Sequence, residues 1–262
     1  MKRKFAFTMA EVLTTLMLIG LVATLTLPFL LHEMNKDRWA ITFKKVFAET
    51  FNALHTMALD EDCDKSLTCT NVFNGGQKIS TLAFGEAMSS VLTTTDNCQI
   101  TPGDKCFAHK IKVGIASDNE QTIRETLLDK FNFATELYTF RTNRGVSYAV
   151  FSFGMKCLNT PNVHNEAYWN AYVYEQDHPE NQMLSLCGFI VVDVNGPQRP
   201  NTWGRDVFGM WVTDRSVLGV YPFGGNFDNA FRNMCNVNSE ETAQDTRGCA
   251  AQLIKDGWKM KY

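Results

Sequence analysis

Glu11 is the only charged residue between positions 7 and 31, a segment of 25 mostly apolar residues. A carboxylate at the centre of a bilayer costs about 3 kcal/mol unless a cation pairs with it. We therefore expect Glu11 either to lie in the solvated interface at the head of this segment, or to pair with a positive charge supplied by another chain.

Asp193, Asn195 and Asp206 form a second group of side chains that could bind a ligand. Oxygen ligands clustered at a turn suit Ca²⁺. The spacing departs from that of an EF-hand loop, because Gly196 is followed by Pro197, and Asn-Gly-Pro is also an ordinary turn. Both interpretations stay open from the sequence, and no other cofactor or metal is predicted.

Catalytic chemistry has no recognisable signature in this chain. The hydrolase, metalloprotease and phosphate-loop motifs are absent, and the five histidines are scattered, at positions 32, 55, 109, 164 and 178. We therefore predict that the protein is not an enzyme.

The element that must position Glu11 is a membrane-length helix. Residues 12–31 are 20 uncharged residues, which would span about 30 Å as a helix, the thickness of a bilayer core. Lys2, Arg3 and Lys4 favour a cytoplasmic N-terminus and an exported remainder. A cleaved secretory signal would end in a small-x-small site, which is missing here, so we expect the helix to be retained.

The segment Lys-Phe-Ala-Phe-Thr-Met-Ala-Glu-Val-Leu at positions 4–13 resembles the cleavage and methylation signal of type IV prepilins and type II secretion pseudopilins. The resemblance implies a leader at residues 1–6, cleavage between Ala6 and Phe7 by a prepilin peptidase, and N-methylation of Phe7. Ala6 stands where the family usually has Gly. It also implies that Glu11 neutralises the N-terminal amine of an adjacent subunit during assembly.

The same resemblance implies where the protein works and with which partners. The expected location is the bacterial inner membrane, with a single pass, a cytoplasmic N-terminus and an exported head, followed by assembly into a pilus or pseudopilus. The expected partners are other pilin-like subunits, the peptidase and the secretion or pilus assembly machinery. Gly20 and Pro28 match positions where the helix of such proteins is interrupted, although Gly and Pro are also common in membrane helices. The stretch 193–208 looks like a loop of some prepilin-like proteins, without a defined activity.

A different functional class also fits the N-terminus. A membrane-anchored exported enzyme or binding protein would use the same helix only as an anchor. The mass of the mature chain discriminates the two, because a processed subunit begins with methylated Phe7 and an anchored protein retains Met1.

The fold expected from these patterns is α+β, with a long helical spine packed on an antiparallel sheet. The spine has a membrane half, residues 7–31, and an amphipathic half, residues 32–60, whose apolar residues recur in steps of three and four. Residues 61–262 form the exported head. Short helices are predicted at 84–92 and 120–131, one hairpin at 135–142 and 146–153, a strand at 183–194, and a second hairpin at 207–213 and 217–221.

The eight cysteines indicate disulfides, because their number is even and the bulk of the chain is exported. Sequence proximity favours the pairs Cys63–Cys69, Cys98–Cys106, Cys157–Cys187 and Cys235–Cys249. The resemblance to pilins singles out Cys235–Cys249, which would close a C-terminal loop. Zinc is the alternative, but short ligand spacings and a nearby His pair are missing.

Composition and charge exclude a disordered chain and a globally basic nucleic-acid binder. The apolar fraction is 45%, the net charge is −3 and the mean hydropathy is −0.18. Loss of residues 1–6 removes three positive charges and leaves −6. The C-terminus places Lys255, Lys259 and Lys261 near Trp258 and Tyr262, a pattern that could bind single-stranded DNA. Three charges are few, so we expect a helix capped at Gly257 and an edge strand instead, and no nucleic-acid partner.

Overall fold

A computed structural model of the chain describes residues 8–63, 66–100, 105–128, 137–154, 157, 186–214, 219–225, 231, 233–235 and 245–262. The chain divides into two compact units, residues 1–38 and residues 39–262. The first unit holds the apolar segment, and the second holds the sheet and all eight cysteines.

Helix α1 spans Met9–Asp60 and is long and apolar enough near its N-terminus to cross a membrane. Helix α1 continues through both Gly20 and Pro28, the two positions where an interruption is predicted. Proline removes a single N–H donor, so one carbonyl of the preceding turn loses its helical partner while the rest of the ladder continues. Two nearby threonine hydroxyls bond to other carbonyls of α1. Thr24 Oγ1 donates to the Leu21 carbonyl at 2.8 Å, and Thr26 Oγ1 donates to the Val22 carbonyl at 2.9 Å.

From Trp39 onward α1 is amphipathic, as its periodicity predicts. Phe43, Val46 and Leu54 are buried, whereas Ile41 on the opposite face is 65% exposed. The Phe43 ring stacks on the ring of Phe208 with 4.3 Å between centroids. This half of α1 therefore packs on the sheet.

The sheet is antiparallel and has six strands in the order β1-β4-β5-β6-β7-β8. A separate two-stranded sheet pairs β2 with β3. The strands are β1 Thr94–Gln99, β2 Ile111–Lys112, β3 Glu120–Gln121, β4 Tyr138–Thr142, β5 Ser147–Ser152, β6 Leu186–Asp193, β7 Val207–Thr213 and β8 Val220–Pro222. With helices α2 Gln77–Val91, α3 Glu125–Leu128 and α4 Cys249–Lys255, the fold is α+β, as predicted.

The first predicted hairpin is confirmed, because β4 and β5 pair across the turn at 143–146. The strand predicted at 183–194 corresponds to β6 over Leu186–Asp193, and residues 183–185 lie outside the described residues. The second hairpin corresponds to β7 and β8. Its expected turn lies mostly in residues 215–218, outside the described residues. Helix α2 contains residues 84–91 of the helix predicted at 84–92, and it begins seven residues earlier, directly after Gly76.

The helix predicted at 120–131 is wrong over its first residues, and its last three, 129–131, lie outside the described residues. Glu120 and Gln121 form β3, and α3 starts only at Glu125. Thr122 and Glu125 explain the later start, because they form a reciprocal capping pair. Glu125 Oε2 accepts hydrogen bonds from the Thr122 backbone N–H at 2.8 Å and from its hydroxyl at 2.9 Å. These bonds lower the pKa of Glu125 and fix the helix N-terminus after Thr122.

Both faces of the central strands are buried. The even-numbered side chains Tyr148 and Val150 of β5 face the core formed with α1 and α2, and Ala149 and Phe151 face a second core rich in aromatic rings. Trp211 of β7 lies in this second core, where its ring is 4.7 Å from that of Phe223. Burial on two sides explains why β5, β6 and β7 are completely buried along their length.

Candidate functional site

Glu11 and Thr8 form a capping box at the start of α1. Glu11 Oε2 accepts hydrogen bonds from the Thr8 backbone N–H and hydroxyl, both at 2.8 Å, and Thr8 Oγ1 accepts the Glu11 N–H at 3.3 Å. A capping box satisfies backbone donors that the first helical turn leaves unpaired. The Glu11 carboxylate therefore has a structural use within its own chain.

The sequence contains the signal for this capping role, because Thr-x-x-Glu before an apolar run is a helix-start pattern. The expectations for Glu11 stated above did not include it. The predicted cleavage residues Ala6 and Phe7 lie outside the described residues. Gly20 and Pro28 lie within α1, as described above.

The structure brings together Asp193, the last residue of β6, and Asp206, which directly precedes β7. Both side chains are fully buried. Asp206 Oδ1 accepts the Thr202 N–H at 2.6 Å, and Asp206 Oδ2 accepts the Asn201 N–H at 2.8 Å. Asp193 Oδ1 accepts the Asn195 backbone N–H at 3.3 Å. The side-chain amide of Asn201, oriented with its nitrogen toward Asp193, donates from Nδ2 to Asp193 Oδ2 at 3.1 Å.

Burial shifts the titration of both carboxyl groups upward. The pKa of Asp193 lies well above its ordinary value, chiefly because of burial and then because of the negative charge of Asp206. Burial also raises the pKa of Asp206 to about 6, although the N–H groups of Thr202 and Asn201 oppose this shift. The fold therefore favours the protonated form of both carboxyl groups more than water does.

The calcium interpretation fits this donor set poorly. Each of the four carboxylate oxygens already accepts an N–H donor from the same loop. Asn195 Oδ1 is a buried oxygen without a hydrogen-bond partner among the described residues, and its Nδ2 donates to the Gln198 carbonyl at 2.8 Å. Ca²⁺ takes six to eight oxygen ligands. The three side chains instead fit the hydrogen-bonded interior of a loop.

This pair predicts a specific dependence of stability on pH. Carboxyl groups with a raised pKa in the folded state favour the fold when protonated, so their contribution is complete below about pH 4 and is lost as the pH rises through 6 and above. We expect the free energy of unfolding to fall by on the order of 2 kcal/mol between pH 5 and pH 7.5. Asp193→Asn should flatten this slope and raise stability at pH 7.5, measured by urea titration of the full chain in detergent.

Two outcomes would contradict that expectation. A wild-type chain that is equally stable at both pH values has no strained carboxyl pair. Calcium at millimolar concentration that stabilises the wild type but not Asp193→Asn would assign these residues to a cation instead.

All eight cysteines are joined in disulfides, in the four pairs that sequence proximity favours. The zinc alternative therefore has no free thiolate. The sulfurs of Cys157 and Cys187 lie within 4.8 Å of the Asp214 carboxylate, but they are bonded to each other. Asp214 accepts hydrogen bonds from Ser66 Oγ at 2.9 Å and from the Thr68 N–H at 2.8 Å, which attaches the loop closed by Cys63–Cys69 to the end of β7.

A cavity of about 310 Å³ lies between α1, the turn after α2 and the turn between β4 and β5. Arg144 Nη1 donates to Glu49 Oε1, and both side chains line this cavity. Tyr148 also lines it, and burial raises the pKa of its phenol. The lining is mixed, with amide, hydroxyl and apolar groups, and sequence patterns gave no indication of it.

The C-terminal segment uses its aromatic residue for packing. Trp258 lies 6.0 Å from Phe43 and 5.9 Å from Phe47, measured between ring centroids, and Lys44 Nζ is 5.8 Å from the Trp258 ring. This packing leaves Trp258 half-buried against α1 rather than free to stack on bases. Helix α4 ends at Lys255, followed by Gly257 with a φ of +69°, but the predicted edge strand is wrong, because residues 258–262 pair with no strand of the described chain.

Comparison of the chain with protein-family models, with curated proteins and with solved structures finds no match.

Proposed function

We propose that this protein is a structural, non-catalytic subunit of a type IV pilus or type II secretion pseudopilus. In this proposal a prepilin peptidase cleaves after Ala6, and the N-terminal helix inserts in the inner membrane and then packs against other subunits. The observation that supports it is the combination of a basic leader, Phe-Thr-x-x-Glu and a helix long and apolar enough to cross a membrane, all in one register.

The fold of the second unit is compatible with this role. An amphipathic helix packed on an antiparallel sheet provides a head attached to the same helix that carries the apolar segment. The four disulfides suit an exported head, because oxidising compartments preserve them. Glu11 stands at the N-terminus of α1, where its carboxylate would meet the terminal amine of a neighbouring subunit.

Processing at residue 6 is the direct test of this proposal. In a cell with an active prepilin peptidase, the wild-type chain should lose residues 1–6 and carry one methyl group on Phe7, as measured by intact mass. Ala6→Phe should retain the leader and reduce processing at least tenfold, on the order of 1.4 kcal/mol or more in the barrier, because the side chain before the scissile bond becomes bulky.

The matched control is Ala10→Phe, which adds the same bulk beyond the cleavage site and should leave processing unchanged. A wild-type chain that keeps Met1, or an Ala6→Phe chain that matures normally, would refute the proposal.

The second candidate function is a membrane-anchored binding protein. Two observations favour it: Glu11 already has a capping role within its own helix, and the head contains the cavity beside Glu49 and Arg144. Retention of residues 1–6 in the mature chain would support this candidate.

A further inference from the structure

The cavity beside α1 has three walls that contacts within the protein join together. The Asn143 backbone N–H donates to the Thr93 carbonyl at 3.2 Å, which joins the turn between β4 and β5 to the turn after α2. Arg144 of the first turn donates to Glu49 of α1 and so connects the third wall. Binding in this cavity would therefore need little reordering of the chain, which keeps the entropic cost of binding low.

The apolar part of the cavity lining is buried or half-buried. Val146 and Tyr148, at the start of β5, are buried, and so is Ala53 of α1. Val91 and Leu92, at the end of α2, are half-buried. The cavity volume of about 310 Å³ lies at the small end of the range of ligand sites, about 300–1,000 Å³. The cavity therefore fits a small molecule with one apolar side.

The polar part of the lining has hydrogen-bonding groups to spare. The side-chain amides of Asn52 and Asn143 line the cavity and have no hydrogen-bond partner among the described residues. Each carboxamide carries two N–H donors and one acceptor oxygen. Thr56 and Thr93 are exposed and add hydroxyl groups from two of the walls. A ligand here would meet donors and acceptors together.

The two charged groups of the lining neutralise each other. Among the described residues that line the cavity, Arg144 and Glu49 are the charged ones, and they form an ion pair. A charged ligand would have to compete with this pair, whereas a neutral ligand leaves it in place. The pair engages Nη1 of Arg144 and Oε1 of Glu49, so other guanidinium N–H groups and Glu49 Oε2 can bond to a ligand.

We propose that this cavity binds a neutral polyhydroxylated small molecule, that is, a free sugar or a polyol. A hydroxyl group both donates and accepts hydrogen bonds, so neighbouring hydroxyls match the amides and the remaining atoms of the ion pair. The C–H groups of the same molecule would pack on Leu92 and Val146. This binding goes beyond the role of a structural subunit, because it requires neither cleavage after Ala6 nor assembly.

Saturation-transfer difference NMR on the full chain tests this site, in lauryldimethylamine oxide, a detergent without a sugar head group. The probes are D-glucose, D-galactose and myo-inositol at millimolar concentration, and the wild type should give saturable transfer to one or more of them. Thr56→Phe should abolish the transfer, because its ring fills the cavity from an exposed position. Asn52→Ala/Asn143→Ala should weaken binding about tenfold, because it removes two hydrogen-bonding side chains.

The matched control is His55→Phe, which adds a ring at an exposed position of α1 that does not line the cavity. It should bind as the wild type does. The urea midpoint of each variant shows that the head is folded, and the double alanine variant keeps the test valid if Thr56→Phe is unstable.

Three outcomes would overturn the proposal. They are no saturable transfer to any of the three probes, unchanged binding by a folded Thr56→Phe chain, and displacement of the bound probe by inorganic phosphate, which would assign Arg144 to an anion. The intact mass of the same samples reports cleavage after Ala6 separately. A failed binding proposal and a failed processing proposal therefore give different results.

Discussion

Glu11→Gln is expected to abolish incorporation into filaments while leaving α1 and membrane insertion intact. A capping box takes either glutamate or glutamine at this position, so a glutamine side-chain oxygen can still accept the hydrogen bonds that Thr8 donates to Glu11. Only the negative charge is lost. If Glu11 pairs with the terminal amine of a neighbour in a water-poor environment, removing one partner costs about 3–5 kcal/mol, a reduction of on the order of 100-fold or more. The measurement is the ratio of variant protein in sheared filaments to that in the membrane fraction.

The complementary variant is Thr8→Ala, which removes the capping hydroxyl and keeps the charge. Loss of a cap costs about 1 kcal/mol, so the helix start should fray while incorporation falls only modestly. Glu11→Lys should both fray the start of α1 and lose incorporation into filaments, because it removes the accepting oxygens and reverses the charge. Normal incorporation of Glu11→Gln together with poor insertion of Thr8→Ala would mean that Glu11 serves its own helix alone, and the anchored binding protein would then be the better interpretation.

Phe43→Ala is expected to destabilise the head by about 3–5 kcal/mol. Phe43 is completely buried and stacks on Phe208, and it also contacts Trp258 of the C-terminal segment. Truncation would leave a cavity where α1, β7 and the C-terminal segment meet. The measurement is the urea midpoint of the full chain in detergent, followed by the near-ultraviolet circular dichroism of the buried tryptophans.

Ile41→Ala is the matched control on the same helix. Its side chain is 65% exposed, so its truncation should change stability by less than about 0.5 kcal/mol. Equal, small losses from both variants would show that this half of α1 does not unfold cooperatively with the sheet.

Local patterns determined much of this protein. The steps of three and four after Trp39 predict the buried face of α1, because helical periodicity places those residues on one side. The turn at Asn143-Arg144-Gly145 predicts the β4–β5 hairpin, because both flanks are rich in aromatic and β-branched residues. Disulfide pairing also followed sequence proximity. The capping box at Thr8 and Glu11 is equally local, because Thr-x-x-Glu before an apolar run is a helix-start pattern. The resemblance to prepilins concerns the charge of Glu11 and not its hydrogen bonds.

Only the tertiary structure decided the elements whose residues carry no apolar pattern. Strand β1 has the sequence Thr-Thr-Asp-Asn-Cys-Gln, and it is a strand because β4 supplies its hydrogen bonds and Asn97 Nδ2 donates to the Tyr138 hydroxyl at 2.8 Å. Likewise, the turn after β6 contacts the turn between β4 and β5 only because residue 196 is glycine. A Cβ atom at Gly196 would lie 2.5 Å from the Gly145 carbonyl oxygen.

The same distinction applies to the candidate sites. The sequence predicts Glu11, Asp193 and Asp206 as candidate functional residues, because a charge in an apolar segment and acids beside a turn are local features. Burial of the two aspartates, with the pKa shifts that follow, required the loop to fold over β6 and β7. Desolvation and juxtaposition are properties of the packed chain, and a one-dimensional pattern does not contain them.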